Sequence, residues 1–511
     1  MTLNSLLQIK GYGAWNGGAL TDNSMYEGRG MFFKNGIPVD MRTIEERIGI
    51  RTRMVAPDDV RIGTLALQDL IKSTNIDPAR IKIIIGATNV GEDKYDAGPL
   101  IKHPYEVVKT QSPGAIPFDL YAGCPGYNVA VELVLMLSMA GMLKSGDISV
   151  VVGAENIHRA QAFKPLDTAN IIFGDDALAV ALETTTAMPP AHNSVSTQQT
   201  ACQLGDDFIT DLARAIFSLT GAKKIDGFIL DNQLGTLQNR VPATAARVQH
   251  RLVELMNPDQ VDQGTFKNFK RALVFYDRKV DSFAYDIMSL ATDAHLVRQM
   301  ADAYVSAGKC KRVVSIYLSS GADAEITLHQ GQGLKLHRPL TGIVDTRTRT
   351  HGCFADFIQA VPEGNEVFGD MDGKGVFLYA TRCAKRHLST LLGRNALTMN
   401  DLDLLIEHQA NFAMIPITLE QVLAEGQPDL KQDVKNYIAD KMVTNVHVRG
   451  NCSVVCMQRL PYDLDRGALT EDNINGYPVN RNVKKLQTAK IIVNDSVGAG
   501  MTRSSFLQRK E

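Results

Sequence analysis

The 511-residue sequence lacks the features that mark several classes of protein. It has no run of around twenty apolar residues, which excludes a membrane-spanning helix. Its first residues, MTLNSLLQIKGYGAW, contain no basic stretch followed by a long apolar run and a cleavage site, so we expect mature sequence rather than a signal peptide. A formal net charge of -2 leaves no electrostatic footprint for nucleic acid or an anionic membrane.

Cysteine usage argues against two further classes. The cysteines are odd in number and scattered, and no two of them have CxxC spacing: Cys124, Cys202, Cys310, Cys353, Cys383, Cys452 and Cys456. The last two lie four residues apart but have no second pair of metal-binding residues nearby. The sequence therefore predicts neither a metal site nor a disulfide framework, and we expect a reducing, cytoplasmic location.

The remaining composition is that of an ordinary globular protein, with 44% hydrophobic and 22% charged residues. Short apolar runs alternate with helical patterns, which is typical of an α/β fold. Four runs are predicted to be strands covered on both faces, at residues 83–85, 150–152, 402–406 and 491–493. Two segments, NIDPARIKIIIGATN and LTMNDLDLLIEHQAN, share a polar lead-in, a short strand and a polar turn, which indicates either two similar halves or a chance likeness.

Residues 184–325 differ from the segments on either side. They begin with a polar stretch, TTTAMPPAHNSVSTQQT, that is typical of a loop. Two sets of apolar residues then recur at helical spacing: Val248, Leu252, Leu255 and Met256, followed by Leu290, Ala294, Val297 and Ala301. We therefore predict an N-terminal half (1–183), a mostly helical insertion (184–325) that returns to the sheet near RVVSIYLSS, and a C-terminal half (326–511). The insertion is interpreted either as a lid or dimer element, or as a solvent-side decoration.

Cys124 stands in a Gly-Cys-Pro-Gly turn before residues 129–142, which are apolar on nearly every side. Such a helix is a buried central helix, and Pro125 suits its first position because no amide hydrogen is needed there. The thiol would lie at the N-terminus of that helix, where the dipole favours the thiolate. Cys124 is therefore a candidate nucleophile. The alternative is a packed core cysteine, which has no need of such a turn.

A nucleophilic thiol also needs a base and an oxyanion site. His408 directly follows the predicted strand at 402–406, in the motif E-H-Q-A-N, and active sites collect at the carboxyl ends of strands in α/β folds. Asn451 stands in V-R-G-N-C-S, and a glycine-rich turn, NDSVGAGMTRSS, follows the last predicted strand. Each has a structural alternative: a hydrogen-bonded histidine, a turn asparagine and an ordinary tight turn.

Taken in this order, Cys124, H-Q-A-N, G-N-x-S and the glycine-rich turn resemble the motifs of β-ketoacyl-acyl-carrier-protein synthase III and its relatives in the thiolase superfamily. Two further runs agree. R-I-G-I-R-T-R (47–53) looks like the family's early arginine motif, and I-I-F-G-D-D-A (171–177) looks like its strand-leading glycine-aspartate motif. The likeness covers roughly residues 8 to 183 and 340 to 508, with the insertion outside it.

The resemblance implies a thiolase-like α/β fold, with two similar βαβαβ halves packed in five layers, and a homodimer. It also implies that Cys124, His408 and Asn451 are the catalytic residues. The Cys124 thiolate would form an acyl-enzyme from an acyl thioester, and a malonyl thioester would then lose CO2 and attack the acyl group. His408 and Asn451 would donate hydrogen bonds to the developing enolate, a role that suits a neutral imidazole and an amide.

The same resemblance implies further contacts and partners. The backbone N–H groups of Cys124 and Ala499 would hold the oxyanion of the acylation step, and Arg47 and Asn411 would contact substrate. The implied substrates are acyl-CoA and a malonyl thioester, with an acyl carrier protein as partner and with no separate cofactor or metal. Fatty-acid initiation and specialised-metabolite synthesis are both compatible with these expectations.

The sequence departs from the family at the carrier contacts. The family often stacks a tryptophan on the adenine of coenzyme A shortly before its arginine motif, where this chain has Thr43, and the only tryptophan, Trp15, is elsewhere. An arginine linked to carrier-protein docking commonly follows H-Q-A-N two positions on, where this chain has Ala413. The glycine-rich turn has G-A-G where G-G-G is usual. The thioester chemistry therefore carries over better than the identity of the carrier.

Two other functions stay open. One keeps the acyl-Cys124 intermediate and uses another acceptor, in a non-decarboxylating or aldol-type condensation or in simple acyl transfer. No obvious glutamate near Cys124 offers an extra base, because the nearest downstream, Glu132, lies within the predicted buried helix. This disfavours the aldol-type reaction, although a base could come from elsewhere in the chain. The other is a non-catalytic subunit of a heterodimeric synthase. Such subunits usually lose the cysteine or the histidine, and this chain has both.

Overall fold

The computed structural model describes residues 4–91, 99–189, 195–234, 241–290, 294–319, 323–332, 338–423 and 429–511. Its strands are β1 (Leu7–Ala14), β2 (Ala19–Asp22), β3 (Thr52–Val55), β4 (Ile81–Gly91), β5 (Ile116–Tyr121), β6 (Ile148–Glu155), β7 (Asp176–Thr184), β8 (Ser196–Gln203), β9 (Gly227–Asn232), β10 (Phe283–Ser289), β11 (Arg312–Leu318), β12 (Asp323–Gln330), β13 (Gly342–Thr350), β14 (Ile358–Glu363), β15 (Glu366–Met371), β16 (Leu404–Glu407), β17 (Asp472–Ile474), β18 (Tyr477–Val479), β19 (Ile491–Gly498) and β20 (Thr502–Arg509).

The α-helices are α1 (Met41–Ile48), α2 (Ile62–Thr74), α3 (Lys102–Val108), α4 (Gly126–Met139), α5 (Phe208–Thr220), α6 (Thr244–Met256), α7 (Pro258–Asp262), α8 (Phe269–Phe275), α9 (His295–Ser306), α10 (Gly373–Gly393), α11 (Met414–Leu423), α12 (Leu430–Lys441), α13 (Val446–Arg449) and α14 (Cys456–Asp465). Within the described ranges, none of the helices combines the length and the apolar character needed to cross a membrane.

A ten-stranded sheet runs through the molecule in the order β1-β7-β6-β4-β5-β10-β9-β11-β12-β8. Its first five strands come from the N-terminal part of the chain. There β4 is parallel to β5 and β6, and β7 is antiparallel to β6 and β1. The other five strands come from residues 196–330, and the two parts meet where β5 and β10 pair antiparallel.

A smaller sheet has the order β13-β20-β19-β16. Its strand directions repeat those of β1-β7-β6-β4, since β20 is antiparallel to β13 and β19, and β16 is parallel to β19. The two sequence segments that share one plan form the corresponding strands β4 and β16, each preceded by a short 3-10 helix. Their likeness is therefore that of two similar halves, as one of the two interpretations predicted.

The elements stack in five layers. Helices α2, α3, α5 and α6 pack on the outer face of the large sheet, and α4, α9 and α14 lie on its inner face. The small sheet follows, and α10, α11 and α12 cover its far side. All residues of α4 are buried, because the helix contacts β4, β5 and β6 on one side and β13, β19 and β20 on the other. This is the central helix predicted from residues 129–142.

The predicted strands are present. Residues 83–85, 150–152 and 491–493 lie within β4, β6 and β19, and β16 covers most of 402–406. These strands are covered on both faces, which is why their sequences are nearly continuous apolar runs.

The prediction of a mostly helical insertion is corrected by the structure. Helices do occur there, and α6 and α9 carry most of the residues at helical spacing, but the segment also supplies five strands of the large sheet. The predicted polar loop ends early, because β8 begins at Ser196 as an edge strand with mostly exposed polar side chains. The boundary at 325 also falls inside β12, and the small sheet starts only at β13.

Candidate active site

Cys124 lies in the turn between β5 and α4, pressed against the turn after β19. Gly123 has φ +67°, and a Cβ at this position would lie 2.4 Å from the backbone nitrogen of Ala499. A Cβ on Gly498 would lie 2.5 Å from the backbone nitrogen of Cys124. Only glycines allow the two turns to come this close. The structure thus brings together the amides of Cys124 and Ala499, which the sequence predicts as the oxyanion site.

Cys124 lines a partly open cavity of about 70 Å³. The lining is mostly apolar and comes from the end of β4, the turns after β5, α13 and β19, the β6–β7 connection, the β14–β15 hairpin and the segment before α6: Asn89, Val90, Cys124, Ile157, Ala162, Phe163, Phe173, Val241, Ile358, Gln359, Ala360, Gly369, Ser453 and Ala499. Cys124 itself is partly exposed at this wall. An apolar cavity with one nucleophile and few polar groups is typical of a ligand site.

A chain of side-chain contacts runs from the thiol to a buried carboxylate. The Cys124 sulfur lies 3.4 Å from the hydroxyl oxygen of Ser453, and that hydroxyl also contacts the carboxylate of Glu155. Asn89 holds this arrangement, since its Nδ2 donates to Glu155 at 2.6 Å and to Ser453 at 2.8 Å. Because the oxygen of the Ser453 hydroxyl accepts a hydrogen bond from Asn89, the hydrogen of that hydroxyl can point toward Glu155.

Glu155 ends β6 and is fully buried. It accepts hydrogen bonds from the backbone N–H groups of Asn89 at 3.0 Å and Val90 at 3.4 Å. Burial nevertheless raises the pKa of this carboxyl to about 7, against the opposing effect of these donors. Glu155 can therefore gain or lose a proton near neutral pH, which is the property a general base or acid needs.

The thiol of Cys124 behaves differently from the prediction based on the helix dipole. Burial raises its pKa to about 12, and the nearby charge of Glu155 adds to the rise, while hydrogen bonds from Ser453 and from its own backbone oppose it. The free thiol is therefore protonated at neutral pH. Desolvation outweighs the helix terminus here, so the group needs a proton acceptor when it attacks.

Ser453 is held in an unusual backbone conformation, with φ +49°. Its backbone N–H donates to Oδ1 of Asn451 at 2.8 Å, which closes a small turn around the residue. The backbone of Asn451 in turn bonds to the I-I-F-G-D-D-A run, donating to Ile172 at 2.9 Å and accepting from Gly174 at 3.1 Å. Two of the motifs behind the resemblance are thus joined directly beside the cavity.

His408 follows β16 and is buried. Its backbone N–H donates to the carbonyl of Asp495 on β19, three residues before Gly498. Burial lowers the pKa of the ring to about 4, with a further contribution from Arg503, so the imidazole is neutral at neutral pH. Its Nδ1 has no hydrogen-bond partner within the part of the chain described. Neither His408 nor Asn451 is in the cavity lining, so the roles assigned to them stay predictions.

The two predicted substrate contacts lie outside the cavity lining. Arg47 is an exposed residue on α1, with its guanidinium 5.0 Å from the centre of the Phe33 ring. Asn411 caps a helix, since its Oδ1 accepts from the backbone N–H of Met414 at 3.2 Å. Each has a structural contact that explains its presence, and its contact with substrate stays a prediction.

Sequence reasoning missed Glu155, Asn89 and the role of Ser453. It considered only Glu132 as an extra carboxylate, and that residue is buried in α4 beside Lys309, at 3.3 Å. The available signal was that Glu155 lies three residues after the strand run at 150–152, at the carboxyl end of a buried strand in the same half as Cys124. The expectation that no glutamate lies near the thiol is therefore corrected.

Comparisons with known proteins bear on the fold. No protein-family model matches the chain. The β-ketoacyl-[acyl-carrier-protein] synthase III of Novosphingobium aromaticivorans is 30% identical over 144 residues, which are 27% of this chain and 42% of that protein. The one from Erythrobacter litoralis is 32% identical over 147 residues, with the same two shares. The chain thus matches less than half the length of these relatives.

Solved structures cover far more of the chain. The crystal structure of 3-oxoacyl-[acyl-carrier-protein] synthase III from Aquifex aeolicus has a TM-score of 0.52 at 15% identity, and covers 99% of this chain and 100% of its own. The one from Pseudomonas aeruginosa has a TM-score of 0.53 at 15% identity, covering 99% and 98%. At this identity the likeness shows the fold, as the sequence resemblance predicted.

Proposed function

We propose, on the premise that the chain has the thiolase-like ketosynthase fold of 3-oxoacyl-[acyl-carrier-protein] synthase III, that it is a condensing enzyme working through an acyl-Cys124 thioester. The observation that carries the proposal is the Cys124 thiol on the wall of an apolar cavity, linked through Ser453 to the buried Glu155. A thiol so placed can be acylated, and the apolar walls can hold the acyl chain.

In the acylation step the sulfur of Cys124 attacks the carbonyl carbon of an acyl thioester. Its proton passes through the hydroxyl of Ser453 to Glu155 as the C–S bond forms, because a free thiolate in this cavity would be costly. The amides of Cys124 and Ala499 hold the oxyanion. The C–S bond of the donor then breaks, and the departing thiolate takes up the proton that Glu155 held.

In the condensation step a malonyl thioester loses CO2, and the carbon of the resulting enolate attacks the acyl carbonyl. His408 and Asn451 donate hydrogen bonds to the enolate oxygen. The neutral state of the buried His408 ring supports this role, because a neutral donor stabilises the developing charge without giving up a proton. As Cys124 leaves, its sulfur takes up a proton through Ser453 from Glu155, which has regained one from solvent.

The size of the cavity favours a short acyl group. A volume of about 70 Å³ is room for about five water-sized spheres. We therefore propose that acyl groups of a few carbons are preferred over long chains. The donor is proposed to be acyl-CoA and the extender a malonyl group on coenzyme A or an acyl carrier protein, in the cytoplasm, with no further cofactor.

A second candidate function has one observation in its favour. Glu155 is a buried carboxylate with a pKa of about 7 on the chain of side-chain contacts that reaches Cys124, and such a group can also remove a proton from a second acyl thioester. This favours a non-decarboxylating condensation that keeps the acyl-Cys124 intermediate. In that case product would form from acyl-CoA alone, without a malonyl thioester and without release of CO2.

The experiment is to incubate the protein with acyl-CoA thioesters from acetyl to dodecanoyl and record adducts by intact-mass spectrometry, with Cys124→Ala as control. We expect adducts for the short acyl groups, absent in the control. Malonyl-CoA or malonyl-carrier protein labelled in the free carboxyl should then discharge the adduct with release of labelled CO2. If no thioester labels Cys124, the condensing-enzyme proposal is wrong and a non-catalytic subunit becomes the better interpretation.

A further inference from the structure

The two parts of the ten-stranded sheet have the same topology. In the first, strands β1, β4, β5, β6 and β7 lie in the order β1-β7-β6-β4-β5. In the second, β8, β9, β10, β11 and β12 lie in the order β8-β12-β11-β9-β10, so each strand takes the place of its counterpart in chain order. The directions agree as well, since β9 is parallel to β10 and β11, and β12 is antiparallel to β11 and β8.

The register of the strands agrees residue by residue. Gly86 of β4 lies opposite Asp119 of β5, and Leu230 of β9 lies opposite Asp286 of β10. Five consecutive residue pairs join β4 to β5, beginning with Ile83 and Ile116, and five join β9 to β10, beginning with Gly227 and Phe283. Each pair of the first set corresponds to the pair at the same place in the second set, with no residue inserted or missing. A shared topology could arise twice, but a shared register together with it points to a repeated unit.

A buried aspartate has the same structural role in both units. Asp119 accepts from the backbone N–H groups of Leu100 at 2.6 Å and Ile101 at 2.9 Å, just before the helix that follows β4. Asp286 accepts from Thr244 at 2.7 Å and Ala245 at 2.8 Å, at the start of the helix that follows β9.

The two units meet about a local two-fold axis. The antiparallel pair β5–β10 matches Leu120 with Ile287 at its centre, and the flanking pairs are Tyr121 with Asp286 and Asp119 with Met288. Asp119 corresponds to Asp286, and Tyr121 corresponds to Met288. Replacing both residues of one flanking pair by their counterparts therefore gives the other flanking pair. Such self-matching contact between like edges is the geometry of an isologous dimer interface, here formed inside one chain.

The second unit lacks the chemistry of the first. Five residues after Asp119 comes Cys124, whereas five after Asp286 comes Ala291, a comparison of sequence alone because Ala291 lies outside the described residues. The position that corresponds to Glu155 at the end of β6 is Ser319, directly after β11. Whereas α4 is buried throughout and packs against three strands of the small sheet, its counterpart α9 has six buried residues.

We propose that residues 196–330 are a second, catalytically blank copy of the unit that carries Cys124, which takes the place of a second subunit and supplies one wall of the Cys124 cavity. That wall is Val241, in the segment between β9 and α6, which lines the cavity and packs in one apolar cluster with Ala360 and Ala499. Its carbonyl accepts from the backbone N–H of Ala360 at 2.8 Å, which ties it to the β14–β15 hairpin.

This proposal replaces two of the expectations drawn from the sequence. The segment is neither a lid nor a decoration, since it continues the sheet across the edge that β5 would otherwise present. With that edge occupied by β10, we expect the chain to act as a monomer with one active site, instead of the homodimer that the resemblance implies. The effect of Val241 on acyl selectivity rests on the proposed function, whereas the repeat and the monomer do not.

The first test is the mass of the full chain in solution, measured by light scattering coupled to size exclusion over a wide range of concentration. We expect 55.9 kDa, the mass of one chain, throughout. A stable particle of two chains would overturn the assignment of residues 196–330 as the built-in partner.

The second test compares Val241→Phe and Val241→Ala with Val261→Phe, a control at an exposed position of α7 in the same unit. Alkylation of Cys124 by iodoacetamide reports on the cavity without any assumption about function. Phenylalanine at 241 should slow it by about tenfold, as expected of an overpacked site, and alanine should speed it. Rates equal to the control for both variants would refute Val241 as a wall.

The third test is the acyl-CoA panel on the same variants. Val241→Ala should extend the set of acyl groups that load Cys124 toward longer chains, and Val241→Phe should restrict it to the shortest. If alkylation responds to Val241 while no thioester ever loads Cys124, the built-in partner stands and the condensing-enzyme proposal fails.

Discussion

Replacing Glu155 by glutamine tests the proposed proton route. The substitution keeps the shape of the side chain but removes the carboxylate that contacts Ser453 and accepts a hydrogen bond from Asn89. A positioned general base contributes about 10²–10⁴ in rate, so acylation of Cys124 in Glu155→Gln should slow by about 10² or more. The rate is measured as appearance of the acyl-enzyme by quenched-flow mass spectrometry in a single turnover.

The pH dependence of that rate should also change. In the wild-type protein acylation should speed up as Glu155 ionises, with an inflection near its pKa of about 7. Glutamine does not titrate, so the variant should lose this inflection. A variant that acylates at the wild-type rate, or a wild-type profile that is flat around this pH, would refute the route through Ser453 to Glu155.

Stability gives an independent readout of the same carboxyl. Burial raises the pKa of Glu155 from 4.5 to about 7, so the folded protein holds this proton more tightly than the unfolded chain. The contribution of Glu155 to stability is therefore greatest below the unfolded value and falls as pH rises through the folded one, by about 2.5 kcal/mol between pH 5 and pH 8.

The free energy of unfolding of Glu155→Gln, relative to wild type, should improve by that amount over the same range, as measured by urea unfolding. At low pH the variant should be the less stable protein, because its amide N–H groups face donors of Asn89 and Val90. Glu132→Gln is the matched control, a buried glutamate on α4 beside Lys309. It should acylate with the wild-type pH profile.

Three further variants test other parts of the site. Ser453→Ala and Ser453→Gly should both slow acylation by about tenfold or more, since each lacks the hydroxyl. The glycine variant should be the more stable of the two by about 1 kcal/mol, because φ at this position is +49°. Acylation at the wild-type rate in a single turnover would contradict the proton route through Ser453. His408→Ala should still form the acyl-enzyme but lose about 10²–10³ in the condensation rate, seen as an adduct that malonyl-CoA discharges slowly. The free energy of unfolding of Gly123→Ala, measured in urea, should fall by at least about 2 kcal/mol, because φ is +67° and the new Cβ would lie 2.4 Å from the Ala499 nitrogen. Gly114→Ala is the control and should change stability little, because there is open space around Gly114.

The built-in partner changes how the acyl selectivity of this chain would evolve. In a symmetric dimer a substitution at a wall residue contributed across the interface acts on two sites at once. Here Val241 belongs to a unit with no cysteine at the nucleophile position, so it can vary for the benefit of one cavity.

Local sequence was sufficient for the elements that surround the candidate site. The apolar run at 150–152 predicted a strand because β6 is covered on both faces, and residues 129–142 predicted a central helix because α4 has no solvent-facing side. The order of Cys124, His408 and Asn451 along the chain predicted the thiolase-like fold through a family resemblance. In each case the signal lies in residues that are close together or in a fixed order.

The second copy contains strands that local sequence patterns did not predict. Residues 227–232 form a short apolar strand after a polar lead-in, like the strand at 83–85. The apolar residues at helical spacing that follow predicted helices, so the segment as a whole was predicted to be mostly helical. Strand β8 is polar because it lies at a sheet edge with mostly exposed side chains, so it resembled a loop. Recognising the repeat required the strand order and the register, which are properties of the sheet.

The sequence by itself determined which residues could do chemistry: a cysteine before a largely apolar helix, a histidine after a strand and an asparagine in a glycine turn. Only the tertiary structure decided what those residues do, because their protonation depends on neighbours far away in the chain. Burial, more than the helix terminus, sets the pKa of Cys124. Glu155 and Ser453 are 298 positions apart in numbering, and their contact exists only because the turn after α13 packs against the end of β6.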